Sequence, residues 1–269
     1  MFIEIKNKYL RYTTLFIYFV VVFFCALQLN FLWLFGYSPT YRDIKKPAQQ
    51  VGSELYTADG KLIGRYFKEN RTPVNYRQIS KSVITALVVT EDIRFYKHSG
   101  IDAQALGRAV VGLGKDGGGS TITQQLAKNL YRTRYSKSSG LIKYIPVVRT
   151  LISKLKEWVT ALKLEANYSK NDIITMYLNT VSFGNNTYGI KTASRIYFDK
   201  EAKDLSTTEA AMLVGMLKGP SLYNPLKNPE KSLARRNVVL NQMNKYNYLS
   251  KDSLLMLTKI PLQIKEGKM

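Results

Sequence analysis

Gly118-Gly119-Ser120-Thr121-Ile122-Thr123-Gln124-Gln125-Leu126-Ala127-Lys128-Asn129-Leu130-Tyr131 is the stretch on which the reading of this chain turns. It is too polar for a core segment and too regular for a linker. Gly117, Gly118 and Gly119 give the backbone freedom, and a hydroxyl-rich turn follows. Thr121 with Gln124 three residues on predicts a capping box that opens a helix. On that helix Gln124, Lys128 and Tyr131 share one face, Gln125 and Asn129 share the next stripe, and Ile122, Leu126 and Leu130 are left for packing. A loose loop, a helix N-terminus with free N–H groups and a cation one turn in suit an anionic or sugar-like ligand. A capped surface helix explains the same residues, so this stretch alone leaves both readings open.

The 269 residues carry 40 Lys and Arg against 19 Asp and Glu, a formal charge of +21. That balance points to an anionic partner: nucleic acid, anionic lipid or a phosphorylated substrate. The single cysteine, Cys25, excludes an intramolecular disulfide framework and a cysteine zinc site. The single histidine, His98, excludes a histidine-cluster metal site and leaves a His-dependent triad only through itself. Between Arg11 and Arg42 no charge occurs for about thirty residues, where ~20 apolar residues cross a bilayer. The centre, 15–27, is nearly continuous aliphatic and aromatic, and Trp33, Tyr37 and Tyr41 stand where an interfacial belt would fall. The run is long for a signal-peptide core and lacks a small-x-small cleavage site, so a retained single-pass anchor is expected. Lys6, Lys8 and Arg11 on one side balance Arg42, Lys45 and Lys46 on the other, so charge alone does not orient it.

These features divide the chain into a short cytoplasmic tail (1–11), a transmembrane anchor (12–37), a juxtamembrane linker (38–52), a catalytic-sized domain (53–250) and a C-terminal tail (251–269). Residues 54–66 predict a β-hairpin turning at Asp59-Gly60, followed by an irregular stretch over 73–79. Helices are predicted over 83–90, 103–111, 121–132, 151–166, 172–179, 188–198, 207–217 and 233–244. The domain is therefore expected to be one mainly α unit with a small β element. In 132–156, seven basic residues alternate with Leu141, Ile142, Tyr144, Ile145, Val147 and Val148, the pattern of a membrane-surface patch.

Carboxylates are few. Glu91-Asp92 closes an apolar helix just before Phe95, His98, Gly100 and Asp102, a setting for a general base and equally for a helix-end salt bridge with Arg94. On the helix over 151–166, Leu151, Leu155, Trp158 and Leu162 form the expected core face, with Lys154, Glu157, Ala161 and Glu165 beside it. Periodicity does not say whether Glu157 points into a cleft or forms a surface pair with Lys154. Arg108, Lys128 and Lys163 are the cations that could stabilise a leaving anion.

Together these motifs resemble the family 51 peptidoglycan glycosyltransferases, which comprise monofunctional transglycosylases and the transglycosylase domains of class A penicillin-binding proteins. Five blocks match in order: Thr90-Glu91-Asp92 through Asp102; Gly119-Ser120-Thr121 through Asn129; Lys154-Leu155-Lys156-Glu157 through Glu165; Tyr177-Leu178-Asn179 through Phe183-Gly184, Tyr188-Gly189 and Tyr197-Phe198; and Glu209-Ala210-Ala211 through Lys218-Gly219-Pro220, Tyr223-Asn224-Pro225 and Arg235-Arg236-Asn237. The resemblance implies a lysozyme-like helical fold with a membrane-apposed jaw lobe. It also implies an inverting polymerisation of lipid II that releases undecaprenyl pyrophosphate, on the extracytoplasmic face of a bacterial inner membrane. By family position Glu91 is the general base, and Glu157 steadies the pyrophosphate end through neighbouring cations or a divalent metal. Arg108 and Lys128 match phosphate-contacting positions, and Ser120, Thr121, Gln124 and Gln125 match the sugar cleft. Asp92, Phe95, His98, Asn129, Lys154 and Asn179 complete the expected substrate-binding set. Mg or Mn, with Glu157 as ligand, is the cofactor the resemblance allows, and no organic cofactor is expected. Lipid II, the nascent glycan strand, membrane lipids and other cell-wall synthesis and division proteins are the implied partners, without nucleic acid.

Two departures stand out. Ser153 occupies a position that is usually Arg in the family, with Arg149 one turn earlier. The chain also stops at Met269 without a transpeptidase domain, as expected of a monofunctional enzyme or of a truncated class A protein. A glycan-cleaving relative of the lysozymes and a weakly active membrane scaffold are the alternatives.

Overall fold

The computed structural model describes residues 8–28, 36–45, 53–59, 62–66, 72–111, 118–131 and 144–265. Lys6, Trp33, Lys46, Gly60, Gly117, the rest of the expected linker to 52, and 132–143 of the basic–apolar segment lie outside them. Among the described residues the chain is helical apart from one hairpin and an isolated bridge between Ser182 and Tyr188. The first helix, α1 (Lys8–Gln28), is long and apolar enough over Lys8–Ala26 to cross a membrane. A short α2 (Tyr41–Lys45) follows, then β1 (Ser53–Tyr56) and β2 (Leu62–Tyr66), antiparallel with Ser53 opposite Tyr66 and an irregularity after Leu55.

The core forms round a helix that is apolar on every side. In α9 (Thr207–Met216), residues 210–216 are all buried, so this helix needs partners all round. It packs against α3 (Lys81–Glu91) and α10 (Pro229–Lys245). A second group forms where α5 (Ile122–Tyr131) packs against α6 (Pro146–Asn167) and α7 (Lys170–Thr180). α4 (Ala103–Val111) precedes α5, and α8 (Ile190–Phe198) joins α7 to α9. Reciprocal capping boxes at Ser169/Asp172 and Ser206/Glu209 fix the starts of α7 and α9.

Three expectations need correction. The leucine face of α6 is not its core face: Leu151 is 60% and Leu162 46% exposed, whereas Ile152, Ser153, Lys156, Glu157, Thr160, Ala161 and Leu164 are buried. The polar stripe points inward because its charges meet partners there, and apolar periodicity cannot register that. Beside this stripe, Phe23 and Ala26 of the apolar first helix pack, with Leu155, against Ile152. Nor are residues 38–45 a free linker. Ile44 is fully buried in the main core, Lys156 Nζ donates to Tyr37 O at 2.8 Å, Lys163 Nζ to Pro39 O at 2.9 Å, and the Tyr168 hydroxyl to Ile44 O at 2.8 Å. The C-terminal tail is partly helical as well: Ser250 caps α11 (Lys251–Lys259), which packs on α10. The buried Arg236 donates to the carbonyls of Thr258 and Ile260 at 3.2 and 2.6 Å, closing its C-terminal end with a cation.

Candidate active site

The end of α3, the start of α5 and the 98–102 turn are tied together through one buried carboxylate. Asp92 accepts from Ile122 N at 2.9 Å, and His98 Nε2 lies 3.0 and 3.1 Å from its two oxygens. Gly100 N donates to His98 Nδ1 at 3.2 Å, so Nδ1 is the acceptor of the ring and Nε2–H the donor to Asp92. Gly100 holds φ at +91°, and a Cβ there would meet the Ala161 carbonyl at 3.0 Å. Its own carbonyl accepts from Thr121 Oγ1 at 2.7 Å and Gln124 Nε2 at 3.2 Å. Only half of the expected capping box therefore forms. Thr121 Oγ1 takes Gln124 N at 3.1 Å, but the Gln124 side chain is drawn into this knot.

Glu91 ends α3 half-buried, and Gln125 Nε2 donates to its Oε2 at 2.8 Å. It opens on a cleft of about 570 Å³ that runs between the two helix groups. One wall carries Asp92, Arg94, Asp102, Arg108, Ser120, Thr121, Gln125 and Lys128; the other carries Lys218, Arg235, Gln242, Lys245 and Tyr246. Six basic side chains line it against three carboxylates, a positive field suited to a polyanionic substrate. Two of the three carboxylates are committed. Asp92 is held as described, and Asp102 pairs with Arg94 at 3.0 Å while accepting from Gln104 N and Ala105 N. Glu91 Oε1 receives no hydrogen bond from the described residues.

Behind Ser120 lies a second cluster. Lys154 Nζ donates to Ser120 Oγ at 2.7 Å, to Gln124 Oε1 at 3.2 Å and to Glu157 Oε2 at 3.2 Å. Glu157 is 1% exposed. Asp92, His98 and Asp102 could in principle ligate a metal together, but they already hold backbone N–H groups and Arg94. Glu157 belongs to no such group among the described residues, and an ammonium sits on its carboxylate. This donor set fits a resident divalent ion poorly.

The expected site residues thus separate. Glu91, Asp92, Arg108, Ser120, Thr121, Gln125 and Lys128 meet at the cleft, with Gln124, Lys154 and Glu157 behind it. Phe95 and His98 lie beneath, edge to face, with Lys170 Nζ 4.4 Å from the Phe95 ring centre. Asn129 is half-buried outside the cleft lining. Asn179 is elsewhere: its amide takes Val74 N at 3.0 Å and gives to Val74 O at 2.9 Å, pinning the 72–75 segment to α7. A carboxamide matches both groups of one peptide unit, so in the structure Asn179 serves as a tie inside the fold. The opposite wall, with Lys218, Arg235 and Lys245, escaped notice because single cations in so basic a chain carry no signal; Lys218 and Arg235 do fall in the fifth motif block. Ser153 is buried, so the family's usual Arg position faces the packed side of α6.

A family model described as Transglycosylase matches residues 59–244. The chain is 42% identical over 212 residues to penicillin-binding protein 1F of Bacillus subtilis, covering 77% of this chain and 28% of that protein. It is 36% identical over 237 residues to penicillin-binding protein 1A of Pseudomonas aeruginosa, covering 85% and 27%. Against penicillin-binding protein 2a of Streptococcus pneumoniae, identity is 39% over 222 residues, covering 82% and 28%. A crystal structure of penicillin-binding protein 1A from Haemophilus influenzae aligns with 82% of this chain and 22% of that one, at 25% identity and a TM-score of 0.44. The chain spans a little over a quarter of the length of these curated relatives. Since the family model covers more than half of the chain and takes in all five motif blocks, the chain belongs to the transglycosylase family.

Proposed function

We propose that this chain is a membrane-anchored peptidoglycan glycosyltransferase that polymerises lipid II. One observation carries the reading: Glu91 is the carboxylate of the cleft with an oxygen left open, and it sits in a lining dominated by cations. The 4-hydroxyl of the acceptor sugar gives its proton to Glu91 Oε1 as its oxygen bonds to the anomeric carbon of the growing chain. The bond from that carbon to the pyrophosphate breaks on the opposite face, and its electron pair leaves with undecaprenyl pyrophosphate. One in-line displacement inverts the centre. The charge that develops on the leaving group falls to Arg108 and Lys128 in the cleft and to Lys154, which Glu157 and Ser120 hold in place.

A lipid-linked substrate has to be met at the bilayer. Tyr144, Ile145, Val147 and Leu151 at the start of α6 are 55–81% exposed, beside the contact of α6 with the anchor helix. This described half of the basic–apolar segment suits the lipid surface, with the cleft on the extracytoplasmic side.

The test is polymerisation of lipid II by the purified chain in detergent, wild type beside Glu91→Gln. Long, moenomycin-sensitive glycan from the wild type, and none from the variant, is expected. Release of soluble fragments from intact sacculi without polymerisation would favour a glycan-cleaving relative instead.

A further inference from the structure

Tyr177 is a deeply buried polar group near the cleft that the reaction above does not use. It is 1% exposed on α7, its hydroxyl donates to Gln125 Oε1 at 3.0 Å, and Gln125 Nε2 donates to Glu91 Oε2 at 2.8 Å. Burial first, and then the charge of Glu91, push the phenol well above its ordinary range, so it remains a donor wherever the enzyme works. The contacts therefore run one way, from phenol to amide to carboxylate.

We infer that Tyr177 is a positioning residue for the general base, acting through Gln125 to keep Glu91 a proton acceptor with Oε1 presented to the acceptor sugar. The inference rests on reading Glu91 as that base. Its logic lies in the two faces of an amide. While Glu91 is ionised, its own charge selects the N–H face of Gln125. Once Glu91 has taken a proton, its new O–H would bond best to an amide oxygen, and a flipped Gln125 would stabilise the protonated carboxyl. That flip would hold the proton on the base and slow its return to the ionised form. Tyr177 blocks it, because a buried phenol that gives its proton to Gln125 Oε1 would lose that acceptor.

Tyr177→Phe removes the hydroxyl and keeps the ring. In lipid II polymerisation, kcat at neutral pH should fall about fivefold, the scale of one hydrogen bond, with KM for lipid II unchanged. The acid limb of the pH–rate profile should move up by about half a unit to one unit, because the protonated form of Glu91 gains a donor–acceptor match it lacks in the wild type. In a Gln125→Met background the same substitution should add nothing, since the connection is already cut. A wild-type acid limb in Tyr177→Phe overturns the inference. So does an equal loss in both backgrounds, which would mean ring packing alone. If Tyr177→Phe does not melt cooperatively, Gln125→Met alone, which takes the N–H donor away from ionised Glu91, must show a raised acid limb; a limb at the wild-type pH would mean that Gln125 does not act on Glu91 and is then the overturning result. Glu91→Gln beside these separates the two levels. Full activity there removes the base reading itself; inactivity there with a wild-type-like Tyr177→Phe removes only the role of Tyr177.

Discussion

Glu91 and Glu157 are one residue type held in two opposite ways. Glu91 ends a helix half-buried, receives one neutral amide donor and keeps an oxygen open to the cleft. Glu157 lies in mid-helix, 1% exposed, with the Lys154 ammonium 3.2 Å away. The Glu157 carboxylate is engaged by a cation inside the fold, whereas Glu91 leaves an oxygen open to an incoming hydroxyl. The environment divides the work that composition leaves undivided. On the proposed mechanism the first glutamate moves a proton, and the second holds a cation where anionic charge must be absorbed.

The comparison breaks first at Glu91. Glu91→Gln keeps the size and the contact with Gln125 but cannot accept the hydroxyl proton, so lipid II polymerisation should fall by about 10²–10⁴-fold, the usual range for a general base, with the melting temperature close to wild type. On the other side, Lys154→Met should lower polymerisation by about 10–100-fold, less than loss of a sole electrostatic donor because Arg108 and Lys128 remain. It should also destabilise the fold by about 1–3 kcal/mol, since the buried Glu157 loses the Lys154 ammonium. Adding Glu157→Leu should restore much of the stability and none of the activity, because an apolar pair replaces a buried ion pair at little cost. Restored activity in that double variant would show that the pair only supports packing.

Sequence and structure part company at specific residues, for physical reasons. α4 was legible to its ends, 103–111, since a short amphipathic helix with one apolar face has one way to pack. α6 was legible as a helix and inverted in its packing. Its leucines and its charges each form a stripe, and only the partners Ser120, Gln124, Tyr37 O and Pro39 O, all distant in sequence, show that the charged side is inward. Tyr177 stood out only as part of the fourth motif block, and its hydroxyl meets Gln125 52 residues earlier, a contact no local pattern encodes. Of the site, what motifs could place was the set of side chains at Glu91 and along α5. What they could not separate was a residue that touches substrate from one that holds the fold.

Asn179 sharpens that last distinction. Asn179→Ala strands Val74 N–H and Val74 O in a buried setting, so unfolding should become easier by about 1–3 kcal/mol. KM for lipid II should stay at the wild-type value at a temperature where the variant is fully folded. A raised KM with unchanged stability would return Asn179 to the substrate.

The smallest expected effect concerns Lys156, the neighbour of Glu157. Its ammonium is buried and donates to Tyr37 O, and burial pushes its pKa down to about 8. The unfolded chain holds that proton up to the ordinary lysine range, near pH 10. Between about pH 8 and 10 the unfolded state therefore binds more protons than the folded one, and stability gains with rising pH in that window. Below it both states are protonated and this lysine adds no pH dependence. The melting temperature of the wild type should rise relative to Lys156→Met between pH 8 and 10, by several degrees, with a constant difference from pH 6 to 7.5. Every other titrating group is common to both proteins and cancels in the difference. A difference that stays flat through pH 10 would place the Lys156 ammonium in solvent, and with it the attachment of the anchor segment to the inner stripe of α6.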